Sequence, residues 1–214
     1  MAKILIADDH EIFRRGVRQI LSEMPDVVVI DEASNGQEVL EKIWRIDYNA
    51  VLLDISMPGR NGIDILKQLK GSKPDLQILI LSMYPEEQFA MRALKAGAAG
   101  YLTKASHPDE LVTAIQKILK GKKYVSSTFA DRLVCYVEEG NNKALHETLS
   151  DREYEVMCMT ATGKSVKQIA MELSLSDKTI STYRARIMNK MNMNNLAQLI
   201  QYAIQNQLFD QKSG

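Results

Sequence analysis

The chain has 214 residues, 27 of them basic and 27 acidic, so bulk charge singles out no partner, and its length with two unlike halves predicts two cores. Cys135 and Cys158 are not spaced as a metal pair and fit buried thiols of a reducing compartment. The start, Met1-Ala2-Lys3-Ile4, runs into a strand with no long apolar stretch, which speaks against a signal peptide or a membrane span and makes a cytoplasmic protein the expectation.

Over the first 120 or so residues, apolar strands alternate with helical patterns, as in βαβ units. Strands are expected near 3–7, 27–32, 50–54, 76–82 and 99–103, with helices near 11–23, 36–46, 62–70, 86–96 and 108–119. The fold class that follows is α/β, a doubly wound five-stranded parallel sheet.

Four strand ends carry chemistry. Ile4-Leu5-Ile6-Ala7 delivers Asp8 and Asp9, and Ala50-Val51-Leu52-Leu53 delivers Asp54, followed by Ile55-Ser56-Met57-Pro58 and then Gly62. Ile78-Leu79-Ile80-Leu81 delivers Ser82, and Gly100-Tyr101-Leu102-Thr103 delivers Lys104. In an open parallel sheet the carboxyl ends of the strands share one crevice, so these residues can meet there. Asp8, Asp9 and Asp54, with the backbone carbonyl near Ser56, offer the hard oxygens that Mg2+ takes. A carboxylate can also accept a phosphoryl group as nucleophile, with Lys104 and Ser82 binding the phosphate oxygens. Taken singly, the acidic pair is more often a solvated turn, and Asp54 could simply cap a helix.

In this order the residues resemble the receiver domain of two-component response regulators, a flavodoxin-like or CheY-like fold. The resemblance implies Asp54 as phosphoacceptor, Asp8 and Asp9 as metal ligands, Ser82 as switch hydroxyl, Tyr101 as switch aromatic and Lys104 as the family's lysine. Ala105 departs from the proline that often follows that lysine, so the family's cis peptide would here be a non-proline one.

From Gly121-Lys122-Lys123 the character changes. Ser126-Ser127 can open a short helix with Phe129, Leu133, Tyr136 and Val137 on one stripe, before a loose Glu138-Glu139-Gly140-Asn141-Asn142-Lys143 stretch; packing plus tether is the favoured reading over a signalling helix. The expected organisation is a receiver over 1–121, a linker over 122–146 and a second domain over 147–214.

That second domain opens on a capping box, Ser150-Asp151-Arg152-Glu153. Val166, Ile169, Ala170 and Leu173 then form a compact apolar face, Ser174-Leu175-Ser176 a turn, and Asp177-Lys178-Thr179-Ile180 the start of the next helix with Ser176 as cap. This is helix-turn-helix geometry in a small all-α, four-helix domain. On the third helix Ile180, Ile187 and Met191 should face the core, leaving Lys178, Ser181, Thr182, Ala185, Arg186 and Asn189 outward. Small and polar groups beside cations suit the major groove, although an ordinary solvated face looks similar.

The stretch Leu149-Ser150-Asp151-Arg152-Glu153, with Gly163-Lys164-Ser165, Gln168-Ile169-Ala170, Leu175-Ser176, Lys178-Thr179-Ile180 and Lys190-Met191, resembles the LuxR-type helix-turn-helix. Joined to the receiver it makes the whole chain similar to NarL/FixJ-type response regulators. The resemblance implies double-stranded DNA, a sensor histidine kinase and RNA polymerase as partners, and DNA contacts from Lys178, Thr179, Ser181, Thr182, Ala185 and Arg186. Ser181-Thr182-Tyr183-Arg184 departs from the more frequent lysine-and-histidine version, so no operator sequence carries over; Tyr183 either packs or touches a phosphate. The final helix, about Asn195 to Asn206, shows Leu196, Leu199, Ile200, Ala203 and Ile204 on one face. Part of that face completes the core, and the resemblance makes Leu196, Leu199, Ile200 and Ala203 candidates for a homodimer contact.

Two other readings stand beside this one. An aspartate-nucleophile phosphohydrolase needs a second acid two residues after the nucleophile, where this chain has Ser56. A stand-alone phosphorelay or protein-interaction receiver leaves the capping box and the paired helices unexplained. His10, His107 and His146 lack metal-ligand spacing and receive no role.

Overall fold

A computed structural model describes residues 1–138, 144–206 and 208, with backbone alone at 29, 132 and 134–138. It divides into two compact units, Met1–Ser127 and Thr128–Gly214. Tyr136 and Val137 of the predicted stripe, and the stretch 139–143, lie outside the described residues and side chains.

In the first unit β1 (Ala2–Ala7), β2 (Val27–Ala33), β3 (Ala50–Asp54), β4 (Gln77–Ser82) and β5 (Gly100–Thr103) form a sheet in the order β2-β1-β3-β4-β5. All four pairings are parallel. Helices α1 (Glu11–Ser22), α2 (Gly36–Arg45), α3 (Gly62–Ser72), α4 (Glu86–Lys95) and α5 (Pro108–Leu119) follow the strands in turn, each element within about two residues of its expected bounds. The central strands are apolar without interruption because a parallel sheet is covered on both faces, and all five residues of β3 are buried. One face packs Ile4, Ile6, Leu52, Leu79 and Leu102 against Val17 and Leu21 of α1 and Leu111 and Ile115 of α5. Strand alternation turns Leu5, Val51, Leu53 and Ile80 the other way.

The strand order reverses between β1 and β3, which opens a crevice at their carboxyl ends. The register sets Ala7 opposite Leu53, so Asp8 and Asp54 emerge side by side. The loop after β3 is held by Asn61, whose buried side chain accepts from the Ile63 amide at 2.8 Å to start α3. Gly62 presses on that loop so closely that a Cβ would stand 2.2 Å from the Asp54 carbonyl oxygen and 2.7 Å from Ile55 Cα. Only glycine fits there.

Beyond the sheet, α6 (Ser127–Glu138) begins where the sequence places a short helix, with Phe129 buried and Leu133 half-buried. In the second unit a 3-10 turn, Leu145–Thr148, precedes α7 (Asp151–Ala161), α8 (Val166–Glu172), α9 (Asp177–Lys190) and α10 (Leu196–Gln205). The predicted capping box is present: the Glu153 amide donates to Ser150 Oγ at 3.3 Å and the Ser150 amide to Glu153 Oε2 at 2.8 Å. A second box, unforeseen, joins Ser165 and Gln168 at the start of α8. Between α8 and α9, Ser174 takes φ 53°, the Leu175 amide closes on the Ala170 carbonyl at 2.8 Å, and Ser176 Oγ accepts from the Thr179 amide at 3.1 Å. The turn is the predicted one, with a left-handed serine at its centre.

Helix α7 packs on α8, α9 and α10. Ile169, Ala170, Leu173, Ile180, Ile187 and Met191 are all buried, as expected of the helix pair. Glu153 also receives Lys190 Nζ at 2.6 Å, tying the end of α9 to the cap of α7. Arg152 and Glu155 form a buried pair at 2.7 Å that the sequence did not announce. The dimer candidates need correction: Leu199 and Ala203 are 2% and 0% exposed and belong to the core, whereas Leu196 and Ile204 stand exposed and Ile200 half-buried. The apolar stripe of α10 is wider than the core it seals, so its two edges remain in solvent. Among the described residues no helix is long and apolar enough to cross a membrane.

Candidate functional site

The crevice at the ends of β1 and β3 gathers the predicted charged residues. Asp8 and Asp54 are each 1% exposed. Lys104 crosses from the end of β5, placing Nζ 2.6 Å from Asp8 Oδ2 and 2.7 Å from Asp54 Oδ2, with the Phe13 ring centre 4.9 Å away. The Ser56 amide donates to Asp54 Oδ1 at 3.2 Å. Below Asp8, the Arg14 guanidinium donates to its carbonyl at 2.6 Å while Glu32 holds Arg14 at 3.1 Å. That pairing fixes the backbone that carries the acidic pair.

Asp9 is half-exposed, and its Oδ1 lies 2.8 Å from His10 Nδ1. The structure places His10, which the sequence left without a role, against the acidic pair. One ligand atom from each of Asp8, Asp9, His10 and Asp54 lies within 4.8 Å of all the others. Adjacency to the acidic pair is the sequence signal of that grouping.

Burial pushes the Asp54 carboxyl up to about 6; Lys104 opposes the rise and Asp8 adds to it. Burial alone would lower the Lys104 ammonium, but Asp54 and Asp8 hold it above its ordinary value. Three carboxylates thus face one ammonium, and the pocket is short of positive charge. Asp8 Oδ2 and Asp9 Oδ1 are buried without a well-directed hydrogen bond, although Lys104 and His10 stand at ion-pair distance from them. Clustered hard oxygens with unsatisfied directions fit a divalent cation.

Ser82 and Tyr101 meet beside this pocket. Ser82 Oγ accepts from the Tyr84 amide at 3.1 Å, and the Lys104 amide donates to the Ser82 carbonyl at 2.8 Å. Tyr101 is fully buried and its hydroxyl donates to the Tyr84 carbonyl at 2.8 Å. The residue that the resemblance makes the switch aromatic thus lies inside the fold, packed on the loop that follows β4. No cis peptide occurs among the described residues, so the bond from Lys104 to Ala105 is trans, as a non-proline residue prefers.

On α9 the outward face is as predicted, with Lys178, Ser181, Thr182, Ala185, Arg186 and Asn189 exposed. Two of the hydroxyls are engaged within the helix: Ser181 donates to the Asp177 carbonyl and Thr182 to the Lys178 carbonyl, each at 2.9 Å. Each keeps only acceptor capacity for an outside donor. Thr179 is half-buried with its hydroxyl 2.8 Å from that of Ser176, which makes it part of the cap more than of the open face. Tyr183 is half-buried.

A buried carboxylate flanked by a lysine, a hydroxyl and a cation site can accept a phosphoryl group, and an exposed, partly cationic second helix of a helix-turn-helix can enter a DNA groove. Residues 4–116 match the family described as "Response regulator receiver domain", and residues 147–203 match "Bacterial regulatory proteins, luxR family". The chain belongs to the response regulators that join these two domains, the DNA-binding transcriptional regulators of two-component systems.

Its similarity runs end to end. It is 34% identical to "Response regulator UvrY" of Escherichia coli K12 over 97% of this chain and 96% of the relative. To "Response regulator GacA" of Pseudomonas aeruginosa PAO1 it is 31% identical over the whole of both. Among solved structures, RcsB of Salmonella enterica serovar Typhimurium bound to promoter rprA in the presence of the phosphomimetic BeF3- is 28% identical, with a TM-score of 0.64 over 94% of this chain and 97% of that one.

Proposed function

We propose that Asp54 is the phosphoacceptor and that its phosphorylation by a sensor histidine kinase controls DNA binding through α9. The observation that carries this reading is the buried triangle of Asp8, Asp54 and Lys104 at the sheet's switch point. An Asp54 carboxylate oxygen attacks phosphorus as the bond to the donor's phosphohistidine nitrogen breaks, forming an acyl phosphate and releasing imidazole. Asp8, Asp9, Asp54 and the Ser56 carbonyl would hold Mg2+, which when bound offsets negative charge on the phosphoryl oxygens. Lys104, already at 2.7 Å from Asp54, turns its ammonium to the incoming phosphate, and Ser82 redirects its hydroxyl from the Tyr84 loop toward the same group.

Tyr101 packs on that loop through the Tyr84 carbonyl, so a phosphate that draws Ser82 toward Asp54 would bias where the loop and the ring settle. In the second unit, Lys178 and Arg186 supply phosphate contacts, while Ser181, Thr182 and Ala185 lie close to base edges. Two copies joined through Leu196 and Ile200 would present two reading helices to repeated half-sites, with RNA polymerase as the downstream partner. The chain works in the cytoplasm as a phosphorylated switch and not as an enzyme turning over a substrate.

A small phosphodonor with magnesium should add one phosphoryl group to the full chain, seen by intact mass, and raise its affinity for operator DNA. Asp54→Asn should abolish both effects. Equal uptake by that variant would refute the assignment.

A further inference from the structure

His10 follows the acidic pair directly and is the one nitrogen donor in the carboxylate cluster among the described residues. Its Nδ1 lies 2.8 Å from Asp9 Oδ1 and 3.3 Å from Asp8 Oδ1, while its own amide donates to Asp8 Oδ1 at 2.8 Å and so fixes the ring's starting point. Ligand atoms that each sit about 2.0–2.1 Å from one ion stand roughly 2.9–3.4 Å apart at tetrahedral or octahedral angles. The two ring-to-carboxylate separations are of that size. The side chain is 63% exposed, so it can turn onto an ion without disturbing the core.

Magnesium has no use for this nitrogen, since it prefers oxygens and keeps its waters. Zinc, cobalt and nickel ions bind imidazole well and bind it more strongly when carboxylates complete the set. We propose that His10 ligates borderline divalent transition ions together with Asp9 and Asp8, giving the acidic pocket a second class of metal that competes with magnesium for the same carboxylates. The inference rests on the pocket being a metal site at all. The plain alternative is an imidazole hydrogen-bonded to two carboxylates, which would affect every divalent ion alike.

The test uses the tag-free full chain, stripped of metal, with Mg2+, Co2+ and Zn2+ titrated calorimetrically into the wild type, His10→Ala and, as a control for another exposed histidine, His107→Ala. His10→Ala should weaken Co2+ and Zn2+ binding by about tenfold or more while Mg2+ affinity stays within about twofold. With Co2+ bound, the wild type should show a paramagnetically shifted imidazole N–H resonance that the His10 variant lacks and the His107 variant retains. Unchanged Co2+-to-Mg2+ selectivity in His10→Ala, or a shifted resonance that survives it, overturns the ligand role alone. Failure of Mg2+ to bind the wild type overturns the metal pocket and this inference with it.

Discussion

Removing the charge of Asp54 should stabilise the metal-free protein, because the fold holds that carboxyl against its preference. Its ionisation near pH 6 in the fold against 3.8 when free means that the native state carries more protons between those values. Stability therefore falls as pH climbs through that window, and above it the penalty is about 3 kcal/mol. Asp54→Asn keeps the shape and an acceptor for Lys104 but cannot ionise. In EDTA at pH 7.5 the variant should melt on the order of 10 °C above the wild type. At pH 4 the gap should shrink to a small fraction of that, since the carboxyl is then protonated in the fold and only about half ionised in the unfolded chain. Saturating Mg2+ at pH 7.5 should raise the wild type more than the variant. Paired calorimetric melts at the two pH values check this, and equal melting at pH 7.5, or a gap of the same size at pH 4, would refute the burial argument.

Gly62→Ala should cost about 2 kcal/mol or more and slow phosphorylation sharply, because the new methyl meets the Asp54 carbonyl and the Ile55 backbone, which cannot yield as a side-chain tip does; urea unfolding and phosphate uptake read the two effects. Asp9→Ala should weaken Mg2+ binding while metal-free stability holds or rises, since it removes one of three facing carboxylates; a large stability loss with unchanged Mg2+ affinity would make Asp9 structural. Lys178→Ala should weaken binding to every duplex and lower the salt slope by about one, whereas Thr182→Ala should cost about 1 kcal/mol of operator preference and leave the slope alone, as salt-series titrations on operator and scrambled DNA would show. Lys190 and the Ser150 cap outweigh burial and hold the Glu153 carboxyl below its usual range, so this group's stabilisation is present above that range and fades as pH falls through it. Glu153→Gln should cost about 1–2 kcal/mol at pH 7 and flatten the acid limb of an unfolding curve.

The strands and the acidic crevice were legible because a parallel sheet writes each buried strand as an unbroken apolar run and puts its chemistry at the run's end. That Asp54 stands directly beside Asp8 follows from the pairing of β1 with β3, which the apolar runs do not specify. The Lys104 bridge to both was not readable, since no spacing rule relates the end of β5 to two other strands at the scale of a single bond. No ligand spacing marks His10, and its approach to Asp8 and Asp9 is visible only in the folded loop. On α10, periodicity marks the apolar stripe but not which edge of it the core consumes, so Leu199 and Ala203 were grouped with Leu196. The left-handed backbone at Ser174 was hidden by its residue type, where glycine or asparagine would have announced it.

The clamp between Lys190 and Glu153 has a consequence for how the reading helix can diverge. Helix α9 has 14 residues, about 21 Å, measured between a serine cap at one end and a carboxylate of α7 at the other. One inserted residue would turn the far end by about 100° and carry Lys190 away from its partner. The outward letters of α9 can be exchanged one by one, as none of them holds the helix in place. Its length cannot, so new target sequences are reached by substitution along a rod of fixed gauge.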